Sequence, residues 1–299
     1  MNYVMINYRK EDDSKLCYFY EGMNDDNEMN HSRIIWECIR NAPYYDMFQL
    51  DKIGMWYVNK EVVTSIRAES PWPGGAVIDN RSNSKELLQD VIRYAEDNMY
   101  GIEDNKKQII IIVNEKGNSL KEELLEQNYE LLPNDRGTLH FSLSNEIPQV
   151  NLPEGFQLKT LSEVYDFDLL SKVIWEGFNY EGAVPKIDDE VYPTIKHAWL
   201  NYNRHICSVV IAPDGTYASF CGFWYDKKTQ TGYLEPMITA KEYRKLGLGK
   251  AGVYHSLRIL QAYGCKNVFV DPDEEPYNYY RSIGFQKNSY TYVYKKVLG

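Results

Sequence analysis

The chain contains no stretch of eighteen consecutive apolar residues, and its opening Met1-Asn-Tyr-Val-Met-Ile-Asn-Tyr-Arg9 has no long apolar centre. Neither a membrane-spanning helix nor a secretory signal is expected, so the protein is expected to be cytoplasmic, with no membrane partner. Cysteine is sparse. Cys17, Cys38, Cys207, Cys221 and Cys265 are odd in number and widely scattered, which leaves no disulfide framework and no metal-ligand spacing. The five histidines are equally dispersed, and no metal is expected. Positive charge is in deficit: 33 Lys and Arg stand against 43 Asp and Glu, a formal net charge of -10. A nucleic-acid surface wants a basic face, so nucleic acid is not expected as a partner. An acidic protein is compatible with a cationic acceptor such as an amine.

What the chain does have is length and apolar content enough for packed cores. At 299 residues, 43% of them hydrophobic, the prior favours two domains. Against the acidic background one basic segment stands out: Tyr243-Arg244-Lys245-Leu246-Gly247-Leu248-Gly249-Lys250-Ala251. It follows the strand-like run Tyr233-Leu-Glu-Pro-Met-Ile-Thr239 and opens an amphipathic segment through Tyr263. A strand feeding a glycine turn and then a helix is an anion cradle, because glycine permits close backbone approach and the first helical N–H groups lack partners. The Walker pattern is absent, since no Gly-Lys-Ser/Thr is correctly spaced. The turn is taken as Arg244-x-x-Gly247-x-Gly249 alone, without the third glycine of a dinucleotide fingerprint.

A second block follows about thirty residues on. Lys266-Asn-Val-Phe-Val-Asp271 has the β-branched and aromatic content of a buried strand. From Asp273 a short helix runs to Gly284-Phe285, with Tyr280 five residues before that phenylalanine, and Tyr290–Lys295 forms an alternating strand. These two blocks, in this order and context, resemble the signatures of the GNAT superfamily of N-acetyltransferases. The resemblance covers roughly residues 150 to 299.

The first half repeats the order of elements, offset by roughly 155 residues. Two strands lie within Met55–Arg67, followed by the strand Ala76–Asp79, a helix from Ser84 to Met99 and a buried strand Gln108–Val113. A helix from Leu120 to Gln127 then leads through Tyr129 to a strand Thr138–Leu143 that closes the half. Where the second half has its glycine turn, the first has Asp79-Asn-Arg-Ser-Asn-Ser84. Side chains there, Asp79 above all, are expected to project toward an incoming pyrophosphate and repel it. Leu124 stands roughly where the second half has Tyr280. The expected fold class is therefore α/β, with two tandem GNAT-like domains, each a mixed central β-sheet flanked by helices and the N-terminal one degenerate. The boundaries are 1–148 for a domain that does not bind CoA and 149–299 for a catalytic domain, joined through the proline-containing Asn145–Gly155. The plan is similar to that of two-domain family members such as mycothiol synthase.

The resemblance implies acetyl-CoA as co-substrate and transfer to a primary amine of a small molecule. It implies that Arg244, Lys245, Leu246, Gly247, Leu248, Gly249, Lys250 and Ala251 hold the pyrophosphate, and that Met237, Ile238 and Thr239 line the pantetheine arm. Asp273 stands where the family often has an asparagine that touches the ligand. Tyr280 is implied as the acid that protonates the leaving thiolate and as a ligand contact. Pro236 cannot donate to a ladder and marks a bulge or an edge, which would free a backbone N–H near Met237 for the oxyanion. Glu235, beside it, is the candidate base. Tyr277 and Tyr279 are taken as packing residues, and Gly249 as an exposed position where a side chain would block the pyrophosphate without disturbing the core. Trp175, Phe178, Tyr180, Glu181 and Trp224 are expected on the acceptor side. Two other readings stay open: a non-catalytic acyl-CoA or metabolite sensor, and a protein N-acetyltransferase. A monomer or a homodimer is expected.

Overall fold

The computed structural model describes residues 2–21, 33–36, 47–69, 72–115, 117–133, 137–184, 203–272 and 274–299. They form two compact units. The first comprises Met1–Ser32, Asp46–Thr138 and Lys287–Gly299, the second Arg33–Tyr45 and Leu139–Gln286.

In the first unit, β1 (Val4–Asn7), β2 (Gly54–Val58), β3 (Glu61–Ala68) and β4 (Gly75–Asn80) form an antiparallel meander. Helix α1 (Asp13–Glu21) lies between β1 and β2 in sequence. Helix α2 (Lys85–Asn98) then returns the chain so that β6 (Lys106–Asn114) pairs parallel with β4, with β5 (Gly101–Glu103) beside β6. Leu87, Leu88, Val91, Ile92 and Ala95 of α2 are buried, the spacing of one helical face. They pack with Trp56, Ile109 and Ile111 in one core. Three consecutive isoleucines, Ile109 to Ile111, are buried on β6, because this strand is covered on both faces. Helix α3 (Asn118–Glu126) and β7 (Glu130–Leu132) follow.

The second unit repeats the plan. Its sheet begins in sequence with β8 (Leu139–Ser142), and β9 (Gln157–Thr160), β10 (Ser208–Ile211), β11 (Tyr217–Asp226) and β12 (Thr231–Thr239) form an antiparallel series. Helix α4 (Phe167–Gly177) comes between β9 and β10, and α5 (Leu248–Ala262) carries the chain from β12 to β13 (Asn267–Val270), which pairs parallel with β12. Helix α6 (Glu274–Ser282) and β14 (Gln286–Lys287) complete it. The final strand of the chain is β15 (Thr291–Leu298).

Both sheets have the same strand order, β1-β2-β3-β4-β6-β15-β7 in one and β9-β10-β11-β12-β13-β8-β14 in the other. Each closing strand sits in the sheet of the opposite half. The strand expected to close the first half is β8, antiparallel to β13 of the second sheet. The strand expected to close the second half is β15, antiparallel to β6 and β7 of the first. The division expected at 148/149 separates the halves in sequence but not in space. Both strands alternate and both receiving edges are apolar, so pattern specifies that they pair and not with which edge.

Asp79 is not placed as expected. It lies on β4, opposite Ser65, and is 4% exposed with a carboxylate oxygen 4.0 Å from Arg67 Nε. The strand continues through Asn80 and carries Asp79 inward, so it does not project from the turn. Leu124 is fully buried in the same core.

Candidate active site

β12 is paired on one side and comes apart on the other. Thr231, Gly232 and Tyr233 pair with Asn267, Val268 and Phe269 of β13, and among the described residues no further pairing joins the two strands although β12 continues to Thr239. On the β11 side the ladder resumes across an irregularity, with Leu234 opposite Phe223 and Met237 opposite Cys221. Glu235 and Pro236 together therefore oppose Gly222, the two-against-one count of a bulge. The bulge expected at Pro236 is present, and the Glu235–Pro236 peptide is cis. Gly222 fits there because a Cβ would stand 2.7 Å from Glu235 O and 2.8 Å from Pro236 Cδ.

Which backbone groups face the gap follows from the ladder. Ala240 N–H donates to Ala218 O at 3.0 Å. Antiparallel pairs alternate, so Ser219–Thr239 and Cys221–Met237 are pairs that exchange no mutual hydrogen bonds. The N–H and C=O groups of Met237 and Thr239 point away from β11, toward the side from which β13 has withdrawn. Ile238 carbonyl instead accepts from Ser219 Oγ at 2.7 Å. An extended ligand lying in the gap would meet an edge that β13 leaves uncovered, with Met237 N–H next to the bulge and Thr239 O accepting from Arg244 Nε.

The glycine turn delivers α5 to the end of this edge. Lys245 and Gly247 have φ of 66° and 77°, and Gly247 caps the helix with no side-chain hydrogen bond. The first intrahelical bond is Ala251 N–H to Gly247 O at 3.0 Å. The N–H groups of Leu248, Gly249 and Lys250 thus precede the helix's own ladder, at its positive end. Leu248 and Ala251 bury their side chains and offer backbone only. Leu246 is exposed, and Lys250 Nζ lies 5.5 Å from the ring of Tyr254. Arg244 turns back from the turn, donating from Nε to Thr239 O at 3.1 Å and from Nη2 to Gly177 O at 2.8 Å.

Gly249 is buried, not exposed. A Cβ there would stand 3.2 Å from Thr239 Oγ1, 3.3 Å from Tyr279 Oη and 3.6 Å from Met237 Cε. Those three atoms therefore meet at the first turn of α5. The motif extends one glycine beyond Gly249. Gly252 completes Gly-x-Gly-x-x-Gly, and a Cβ there would lie 2.8 Å from Cys221 Sγ, so it is the close-packing position of helix on strand. The sheet, not the spacing, separates this turn from a dinucleotide site, because β12 is antiparallel to β11 rather than part of an all-parallel sheet.

Tyr280 is 6% exposed, with its ring 5.7 Å from Phe285 and 5.6 Å from Tyr279. Tyr279 reaches the gap with its hydroxyl, a placement its position in the motif does not signal. Burial, with Cys221 and Tyr254 adding to it, pushes the Tyr279 phenol well above its ordinary range, so it stands there as a neutral donor. Asp273 lies outside the described residues.

On the acceptor side, α4 ends at Gly177, packed so closely on β12 that a Cβ would collide with Ile238 Cγ2. Asn179 then takes a φ of 57°, and Tyr180 N–H donates back to Trp175 O at 3.1 Å. This stacks Trp175, Phe178 and Tyr180, with centroids 5.0 Å and 5.6 Å apart for the two pairs that include Tyr180. Phe178 and Tyr180 are 39% and 43% exposed, so they form an open aromatic face rather than core. Tyr180 is raised above the ordinary phenol range by burial and then by the charge of Glu235, which sets that carboxylate on the Tyr180 side of the bulge. Glu181 is exposed on the turn. Trp224 is buried and donates from Nε1 to Glu235 O at 3.0 Å, so it braces the bulge instead of walling an open face.

Residues 170–285 match the model of the acetyltransferase (GNAT) family. That stretch is similar to a GNAT acetyltransferase domain. A GCN5-related N-acetyltransferase from Sphaerobacter thermophilus is similar over 99% of this chain and 95% of its own, at 14% identity and a TM-score of 0.61. A tandem GNAT protein from the clavulanic acid biosynthesis pathway is similar over 100% and 99%, at 11% identity and a TM-score of 0.62. A GNAT-family acetyltransferase from Colwellia psychrerythraea covers 100% of both chains at 10% identity, with a TM-score of 0.58. At these identities the likeness is one of fold, and it extends the GNAT-like plan over both halves. No curated protein matches the chain. Among the described residues no group of His, Cys, Asp and Glu could hold a metal ion, and no helix is long and apolar enough to cross a membrane.

Proposed function

We propose that the second unit transfers an acetyl group from acetyl-CoA to a primary amine of a small molecule by direct attack. One observation carries this reading: the open edge of β12 and the uncapped N-terminus of α5 face a single gap, as a thioester with a pyrophosphate on its far end requires. The N–H groups of Leu248, Gly249 and Lys250, with the charges of Arg244, Lys245 and Lys250, would receive the pyrophosphate. The edge of Met237 and Thr239 would pair with the pantetheine amides as an added strand does, with Ile238 between them facing β11.

The acceptor nitrogen would approach from the aromatic face of Trp175, Phe178 and Tyr180. A primary amine is mostly protonated near neutrality, since its pKa lies near ~10. Glu235 would take that proton through water. The nitrogen lone pair then bonds to the acyl carbon, and Met237 N–H stabilises the oxygen that gains charge. As the carbon–sulfur bond breaks, the sulfur takes the electron pair and receives a proton from Tyr280, the tyrosine whose place in the motif assigns that role, and the second proton shed by the nitrogen as the amide forms returns through water to the Tyr280 oxygen. The first unit has no turn glycine between β4 and α2, and one donor site per chain is proposed. A thiol-release assay with acetyl-CoA against aminoglycosides, polyamines and amino acids tests the reading. Release that depends on one amine class supports it, and binding of CoA without release by any amine would instead favour a sensor.

A further inference from the structure

Arg244 is the side chain that reaches from the donor turn to the acceptor helix. It stands three residues before Gly247, on the turn that delivers α5. Its guanidinium spans two carbonyls from separate elements, Thr239 O at the end of β12 and Gly177 O at the end of α4. Both acceptors suit a cation. Thr239 O faces the open side of its strand, and Gly177 O is among the last carbonyls of a helix, at the negative end of its dipole. Gly177 itself cannot retreat into β12, because its Cα already rests against Ile238. The residues immediately beyond it are Phe178, Asn179 and Tyr180, whose amides are bonded back to Ile174 O, Glu176 O and Trp175 O. The aromatic face therefore hangs from a helix end that Arg244 ties to the donor turn.

We propose that Arg244 is a positioning residue that couples the two half-sites: an anion on the donor turn orders its guanidinium, which holds the end of α4 and with it the Phe178–Tyr180 face. This rests on the donor-site reading above and deepens it. The Nε–Nη2 edge of the guanidinium is committed to the two carbonyls, and its charge remains within the turn that receives the pyrophosphate. A ligand that fixes the turn then fixes Arg244, and the acceptor meets a face already ordered. Coupling of this kind is typically ~5–150-fold in affinity, and it needs no displacement of the backbone. Lysine cannot replace the link. It keeps the charge but presents a single ammonium where a rigid fork bridges two carbonyls.

The test is amide hydrogen exchange over residues 174–182, with and without coenzyme A, on the full chain. In the wild type, saturating coenzyme A should slow exchange at Phe178, Asn179 and Tyr180 about fivefold or more. In Arg244→Lys, at coenzyme A concentrations that saturate the variant, that slowing should be lost. Arg244→Ala should show faster exchange at these amides even without ligand. Binding of coenzyme A to the wild type with no change over 174–182 overturns the coupling and leaves the donor site standing. The same slowing in Arg244→Lys as in the wild type overturns the role of the fork. Failure of the wild type to bind coenzyme A at all overturns the donor-site reading, and the coupling falls with it. The wild-type comparison decides the matter even if a variant folds poorly.

Discussion

At the scale of single residues, the site is decided by atoms whose neighbours are far away in sequence. Gly249 shows this. A Cβ there would stand among Thr239 and Met237 of β12 and Tyr279 of α6, so a side chain must displace them as well as any ligand. Gly249→Val is expected to cost about 1–3 kcal/mol through overpacking and to weaken coenzyme A binding at the same time. Thermal melting and calorimetry on one preparation check both; a wild-type melting temperature with lost binding would return Gly249 to an exposed turn. The two adjacent tyrosines make a sharper contrast. Tyr280→Phe is expected to lower kcat by roughly 10²–10⁴-fold with little change in coenzyme A affinity, as loss of a general acid does. Tyr279→Phe should raise the Kd for coenzyme A and leave kcat within a few-fold, since its hydroxyl faces the gap beside Thr239 and Gly249. The opposite pattern would move the acid from Tyr280 to Tyr279.

At the scale of elements, the bulge in β12 does two things at once, opening the gap and setting Glu235 at its mouth. If Glu235 draws the proton from the acceptor through water, turnover should rise with pH through one ionisation and level off. Glu235→Gln should then lower the plateau and steepen the dependence on pH, because only the rare free amine reacts. A lowered melting temperature with an unaltered profile would make Glu235 a brace for the bulge, in keeping with the Trp224 bond to its carbonyl. The elements themselves were largely legible. The alternation of Tyr233–Thr239, the β-branched run at Gln108–Val113 and the amphipathic spacing of Leu87 to Ala95 all give their secondary structure locally, and Pro236 announces the bulge because it has no N–H to offer. What was not legible is tertiary. Arg244 binds two carbonyls, and carbonyls have no sequence signature. Asp79 turns inward because its strand runs two residues beyond the apolar Ala76–Ile78, and the Tyr279 hydroxyl meets Gly249 through the rotation of α6 on the sheet, which helical spacing does not fix. Gly252 was in plain view as a spacing, yet only its distance to Cys221 gives it a role.

At the scale of the whole molecule, the two halves exchange their closing strands, and this fixes how the chain can be cut. Without β8 the second sheet loses the strand that covers β13, together with Leu139 and Phe141 from its core, where Phe141 packs on Phe285 with centroids 5.5 Å apart. An uncovered apolar edge is an aggregation site. A fragment of residues 149–299 follows the halves of the sequence but omits β8 and keeps β15, whose partners β6 and β7 are absent from it. A fragment of residues 138–286 contains β8 to β13 and the first of the two residues of β14. Both omit residues 33–45, which belong to the same unit, so the comparison reports chiefly on the exchanged strand. The 138–286 fragment is expected to melt cooperatively and to bind one coenzyme A by calorimetry, as the full chain should. The 149–299 fragment is expected to aggregate or to lack a cooperative transition. Should 149–299 melt at or above the temperature of 138–286 and bind coenzyme A as well, the exchange of β8 for β15 is not what completes the second sheet.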